Sequence, residues 1–114
     1  MNKIEAIIRA EKLTDVKDAL AEVGLVGLNV AHVTGRGAQK GVLVAGPRGV
    51  GSYSVEMLPK VKLELVVGDA DTQQAIDTII KKARTGDIGD GKIFVTPVAD
   101  AIRVRTGERG DQAL

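Results

Sequence analysis

The sequence predicts an α+β fold of the split βαβ, ferredoxin-like kind, a small antiparallel sheet covered on one face by two helices. Three observations predict it. Apolar residues twice change from alternating to helical spacing and back; the order is strand, helix, strand, long loop, strand, helix, strand; and strong strands resume on both sides of the long loop. That loop therefore reads as an insertion on a rigid scaffold rather than a linker between domains.

Residues 2 to 10 form the first expected strand, with Ile4, Ala6 and Ile8 on one face and Glu5, Ile7 and Arg9 on the other. Leu13, Val16, Leu20 and Val23 recur at helical spacing, and Gly24 is placed to end that helix in a left-handed conformation. A second strand is expected from about Gly27 to Thr34, with Leu28, Val30 and His32 sharing one face. From Gly35 to about Ser54 glycines abound and nothing is periodic, although Val42 to Ala45 make a short apolar run. The next strand is expected from Lys60 to Val67, just after Pro59, with Val61, Leu63, Leu65 and Val67 toward the core and Lys60, Lys62, Glu64 and Val66 opposite. A second helix starts near Asp71 or Thr72, both good capping types, and carries Ala75, Ile76, Ile79, Ile80 and Ala83 on one face. Short strands are expected at Ile93 to Thr96 and at Ala101 to Thr106, the latter sending Ile102 and Val104 into the core, and the tail from Gly107 to Leu114 is expected to be mobile. Ile7, Ala31, Val33 and Val66 leave the far sheet face partly apolar, which suits packing against neighbouring subunits.

Composition narrows the function. The 114 residues suffice for one domain that buries about 65 % of its unfolded surface. Without cysteine there are no disulfides, thiolate metal sites or cysteine nucleophiles. No apolar run is long enough to span a bilayer and no signal segment opens the chain, so a cytoplasmic protein is expected. Sixteen Lys and Arg against fifteen Asp and Glu leave a formal charge of +1, too little for a nucleic-acid surface, and Tyr53 and Phe94 are too few aromatics for a base-stacking platform.

The stretch Thr85 to Val95, T-G-D-I-G-D-G-K-I-F-V, carries the strongest chemical signal. Gly86, Gly89 and Gly91 permit close backbone approach, and Lys92 adds a positive charge at the rim, so the run has the makings of a phosphate cradle; taken alone, it reads first as a glycine-rich turn between a helix and a strand. Ile93 follows the lysine where a Walker loop needs a hydroxyl. Arg103 and Arg105, two apart, suit a phosphate or a charged strand edge. Lys60 and Glu64 share a strand face and suit a ligand or a salt bridge. Gln39 offers an amide oxygen to a hard cation such as Mg²⁺, or simply faces water. His32, the single histidine, is either a structural residue or the phosphoryl carrier of a small phosphotransferase.

These residues together resemble the PII nitrogen-regulatory signal proteins. The run from Thr85 matches that family's T-x-x-x-G-D-G-K-[IV]-F-[LIVM] signature at every specified position, and Gly35 to Gly41, Met57 to Val67 and Ile102 to Glu108 resemble PII segments in the same order. The resemblance implies a homotrimer with ATP or ADP bound in the clefts between subunits. It implies phosphate contacts at Gly89, Gly91 and Lys92, with Arg103 and Arg105 arriving across the subunit boundary, and places Thr85, Gly86 and Asp90 in the same nucleotide site. Ile7, Glu64 and Val66 would line the adenine and ribose pocket, closed by the neighbour's Gly27, Leu28 and Asn29, with Gly35, Gly37, Ala38 and Gln39 completing the nucleotide site. Gln39 would bind Mg²⁺, and 2-oxoglutarate would sit among Gly37, Gln39, Lys40, Gly41 and Lys60.

Residues of about 37–55 correspond to the family's target-docking T-loop, about 84–92 to its phosphate-binding B-loop and about 103–114 to its C-terminal loop. The T-loop departs from the usual Y-R-G-A-E-Y, reading G-P-R-G-V-G-S-Y from Gly46. Tyr53 falls where many members carry a uridylylated tyrosine, and Arg48, in shifted register, corresponds to an arginine that plugs an ammonium transporter. Ala38 replaces a common arginine and Asn29 a common threonine. The resemblance implies a regulator, not an enzyme, acting on nitrogen-metabolism targets, with recruitment to the membrane by a transporter. A relative sensing another metabolite, or addressing nitrogenase or bicarbonate uptake, is the alternative that the unusual loop raises.

Overall fold

The computed structural model describes residues 1–36, 42–44, 53–55 and 57–114. Strands β1 (Asn2–Arg9), β2 (Asn29–Gly35), β5 (Leu58–Val67) and β6 (Gly91–Pro97) form one antiparallel sheet in the order β2-β5-β1-β6. Helices α1 (Leu13–Glu22) and α2 (Thr72–Ala83) pack together on one face of it. This is the expected ferredoxin-like α+β arrangement, with the first and third strands of the sheet in chain order, β1 and β5, at its centre and the two edge strands, β2 and β6, each following a helix.

Alternation places the core where the sequence led one to expect it. Ile4, Ala6 and Ile8 of β1 and Val61, Leu63, Leu65 and Val67 of β5 are buried against Val16, Ala19 and Leu20 of α1 and Ala75, Ile79 and Ala83 of α2. Each fully buried Ile, Leu or Val is worth about 1.5–3 kcal/mol, so these two strands and two helices carry most of the stabilisation. The edge strands are less covered: Val30 on β2 and Val95 on β6 stay exposed although they share the helix-side face with Leu63 and Ile4, their partners in the ladders. Val23, expected on the buried face of α1, is also exposed, because the helix ends at Glu22 and Gly24 turns the chain with φ +84°.

Several boundaries differ from expectation, each for a local reason. β5 begins at Leu58 and includes Pro59, which pairs only with Thr34 of β2; β1 starts to pair with β5 at Lys60, so the missing N–H falls at a one-sided position. Asp71 makes no capping hydrogen bond through its side chain. The turn Asp69–Asp71 leads into α2 instead, and the Thr72 hydroxyl donates to Gly68 O. The long insertion, read as aperiodic, contains a two-stranded antiparallel ladder of β3 (Val42–Val44) and β4 (Tyr53–Val55).

The segment from Ala101 to Thr106 is not a strand. Gly107, with φ +72°, closes a turn in which its N–H donates to Arg103 O at 2.7 Å, and the Arg103 N–H donates to Glu108 O at 2.9 Å. Ile102 and Arg109 form an isolated bridge, and Val104 lies at the turn's tip fully exposed, so neither Ile102 nor Val104 enters the core. The alternation of I-R-V-R belongs to a turn. The tail folds back rather than projecting: Gly110 N–H donates to Ala101 O, and Arg103 donates to Leu114 O at 3.1 Å. Among the described residues no helix is long and apolar enough to cross a membrane.

Candidate functional site

The chain leaves α2 at Arg84 and returns to the sheet at Gly91, and the loop between is built around one carboxylate. Asp90 accepts from the Thr85 N–H and the Gly86 N–H, each at 2.9 Å, from the Thr85 hydroxyl, and from Arg9 Nε at 3.1 Å. The Thr85 hydroxyl and then the Gly86 N–H hold the Asp90 carboxyl well below the usual carboxylate range. Three glycines let the chain bend around it: Gly86, Gly89 and Gly91 all have positive φ, at 95°, 107° and 105°.

At Gly91 the requirement is absolute in steric terms. A Cβ there would lie 1.7 Å from Ile7 O and 2.8 Å from Ile7 C, because β6 joins β1 at this point, Gly91 opposite Ile8. The sequence suggested a glycine needed for close approach to a phosphate. Its nearest neighbour is instead the backbone of β1, so the glycine is needed to seat the loop on the sheet whatever ligand it meets.

Two cations from the ends of the central strands meet the loop. Arg9 Nη2 donates to Ile88 O at 3.0 Å, and Lys60 Nζ donates to Gly89 O at 2.6 Å. Lys60 is 8 % exposed, and its pKa is lowered, first by burial and then by the neighbouring Arg9 charge. A buried ammonium that holds only a carbonyl oxygen would gain from a carboxylate partner.

Beside the loop lies a cleft of about 490 Å³, lined by Ile7, Gly35, Arg36, Lys60, Asp87, Gly89, Asp90, Gly91, Lys92 and Phe94. Small-molecule sites span roughly 300–1,000 Å³, so the size suits a ligand of metabolite dimensions. Arg36, Lys60 and Lys92 outnumber the carboxylates of Asp87 and Asp90 and leave its charge positive, while Ile7 and Phe94 give it an apolar side. A second hollow, of about 440 Å³, lies between α2 and β6 and is lined chiefly by Ile76, Ile79, Ile80, Ile93 and Val95.

Of the residues singled out from sequence, Ile7, Gly35, Lys60, Gly89, Asp90, Gly91 and Lys92 converge on the first cleft. Thr85 and Gly86 direct their N–H groups to Asp90 within the loop. Glu64 and Val66 lie on the same sheet face but outside the cleft's lining; Glu64 approaches Lys3 at 4.0 Å and pairs in register with Asn29. Gly27, Leu28 and Asn29, at the far edge, are likewise not among the lining residues, nor is Arg105 or Arg103, whose guanidinium pairs with Glu108 at 3.1 Å. His32 is exposed on the edge strand β2, opposite Val61 on the helix side, not buried as a structural histidine would be. Tyr53 is placed by its backbone, opposite Val44 in the inserted ladder. Gly37, Ala38, Gln39, Lys40, Gly41 and Arg48 lie outside the described residues.

Sequence reasoning passed over Arg9 and Arg36. Arg9 was visible only as a polar residue at a strand end, and its meaning depends on the register that sets it opposite Lys60.

Ferredoxin-like topology with a cationic cleft beneath a glycine loop defines the class of the protein. The chain belongs to the nitrogen regulatory protein P-II family, whose sequence pattern matches residues 1–108. It is 54 % identical over 114 residues to nitrogen regulatory protein P-II 1 of Methanothermobacter thermautotrophicus, covering all of this chain and 97 % of that one. It is 53 % identical over 116 aligned positions to P-II 1 of Escherichia coli K12 and to P-II of Klebsiella oxytoca, covering the whole of each. These relatives are named as regulatory proteins, which agrees with the expectation of a signalling protein rather than an enzyme.

Proposed function

We propose that the protein senses nucleotide in the cleft beside the glycine loop and reports its state to nitrogen-metabolism targets through the insertion between β2 and β5. ATP or ADP phosphates lie against Gly89, Gly91 and Lys92, with the apolar wall of Ile7 nearer the base. Three subunits form a homotrimer, in which Glu64, Val66 and the neighbour's Gly27, Leu28 and Asn29 close the pocket and Arg103 and Arg105 reach the phosphates from across the boundary. The observation that supports this reading is the cleft itself: two positive-φ glycines, Gly89 and Gly91, and three cations, Arg36, Lys60 and Lys92, meet around one metabolite-sized hollow.

Among the described residues no cluster of three His, Cys, Asp or Glu is poised to hold a metal. Mg²⁺ would accordingly be held largely by phosphate oxygens, as is common for this ion, with Gln39 as the side-chain ligand. Bound Mg²⁺ neutralises phosphate charge and offers a chelation point for 2-oxoglutarate, whose far carboxylate Lys60 would take in exchange for Gly89 O. The partly desolvated ammonium favours that exchange. ATP with 2-oxoglutarate then favours one arrangement of the insertion and ADP another, and a target such as an ammonium transporter reads the difference.

Titration calorimetry tests this reading. The expected result is heat from 2-oxoglutarate only when Mg-ATP is present; tight 2-oxoglutarate binding without nucleotide contradicts the linked site.

A further inference from the structure

Arg9 and Lys60 are register partners at the ends of the two central strands, and both spend their donors on the same loop. Lys60 makes a single contact, to Gly89 O. Arg9 makes two in different directions of one planar group: Nε to the Asp90 carboxylate at 3.1 Å and Nη2 to Ile88 O at 3.0 Å. Asp90 in turn carries the Thr85 and Gly86 N–H groups, so Arg9 touches both the carboxylate that closes the loop and the carbonyl two residues before it.

Peptide units are planar and trans, and among the described residues there is no cis bond. Fixing a carbonyl therefore fixes the N–H of the next residue in the opposite sense. Holding Ile88 O sets the direction of the Gly89 N–H, and holding Gly89 O sets that of the Asp90 N–H. With glycine on one side of each unit, little else in the chain restrains those planes.

We propose that Arg9 is a positioning residue for the glycine loop, that its guanidinium fork, anchored on the Asp90 carboxylate, orients the Ile88–Gly89 peptide for phosphate binding beside the Gly89–Asp90 peptide that Lys60 holds, and that the fork rather than the charge is what the site requires. The assignment rests on the nucleotide reading above. A lysine ammonium is a compact point charge and cannot span the carboxylate and the carbonyl with fixed, coplanar donors.

The test compares ATP and adenosine binding to the wild-type protein, Arg9→Lys and Arg9→Gln. Both variants are expected to bind ATP about tenfold more weakly, the lower end of the loss seen when a ligating group's orienting partner is removed. Adenosine, which has no phosphate to place, binds the three proteins alike. Without nucleotide, the Thr85 and Gly86 amides exchange hydrogen faster in Arg9→Gln than in the wild type. Wild-type ATP affinity in Arg9→Lys overturns the requirement for a fork. A parallel loss of adenosine binding, or unchanged amide exchange in Arg9→Gln, overturns the positioning role. If the wild-type protein binds ATP and Arg9→Gln binds it equally, only this assignment falls; if the wild-type protein binds no nucleotide, the proposed function falls and takes the assignment with it.

Discussion

After α1 the chain reverses at once through Gly24, with φ +84°, whereas after α2 it leaves through Arg84 in an extended conformation and reaches its first positive φ only at Gly86. These two helix-to-strand loops occupy equivalent places in the two βαβ halves. The first is closed by backbone alone: Gly24 N–H donates to Ala21 O at 3.0 Å and Leu25 N–H to Leu20 O at 2.9 Å. The second is held by side chains, Asp90 from within and Arg9 and Lys60 from the strands. A backbone-closed turn uses its polar groups on itself. A loop braced from outside can keep a shape that its own hydrogen bonds do not dictate, which is what a ligand site needs.

The largest effect should come from Gly91→Ala. A Cβ at 1.7 Å from Ile7 O, on a backbone with φ +105°, separates β6 from β1 and is expected to destabilise by about 4 kcal/mol or more. Urea unfolding measures it, and near-native stability would mean that the seating of the second loop is adaptable. Next is Asp90→Asn, which keeps the shape but loses the charge. The Thr85 and Gly86 amides should then exchange faster while those of Gly24 and Leu25 remain as they were, a difference readable by hydrogen exchange.

The same contrast has a pH form. Asp90 is depressed in the folded state, so the stability it contributes is present above its unfolded pKa and is lost as pH falls through the folded one. At pH 3.8, where an ordinary aspartate is half protonated, Asp90 should remain ionised and the second loop intact. Carboxyl carbon shifts followed from pH 7 downward check this; a midpoint for Asp90 near 3.8 would contradict the bracing.

In the first loop the effects should be smaller. Gly24→Ala forces alanine into a left-handed conformation in otherwise open space and should cost about 1–2 kcal/mol, with no change in ATP affinity. Gly27→Ala meets nothing within 4 Å and should alter stability by less than about 0.5 kcal/mol. If Gly27→Ala nevertheless weakens ATP binding, the loss belongs to a neighbouring subunit's pocket and supports the trimer.

The half-buried frame was legible because its signals are periodic. Alternation in β1 and β5 and the 3.6-residue spacing in α2 report burial directly, and Gly24 announced its own conformation. The failures came where alternation had no burial behind it: I-R-V-R from Ile102 reads as a strand but forms a turn, because Gly107 and Glu108 return to Arg103. Among the described residues the short ladder of β3 and β4 forms a sheet of its own, apart from the main one that the alternation reports. At the candidate site the glycines and Lys92 were visible as a motif, but their division of labour was not. That Asp90 serves the loop's interior follows from hydrogen bonds to Thr85 and Gly86 that the motif does not announce, and that Arg9 matters at all follows from a contact some eighty positions away.

The most direct test of the account follows backbone amides by NMR while the protein is titrated with Mg-ATP. The glycine loop is predicted to respond first and most, with saturable shifts at Gly89, Gly91 and Lys92 and none at Gly24. Saturable binding that leaves those three amides unmoved, or no binding at all, would contradict it.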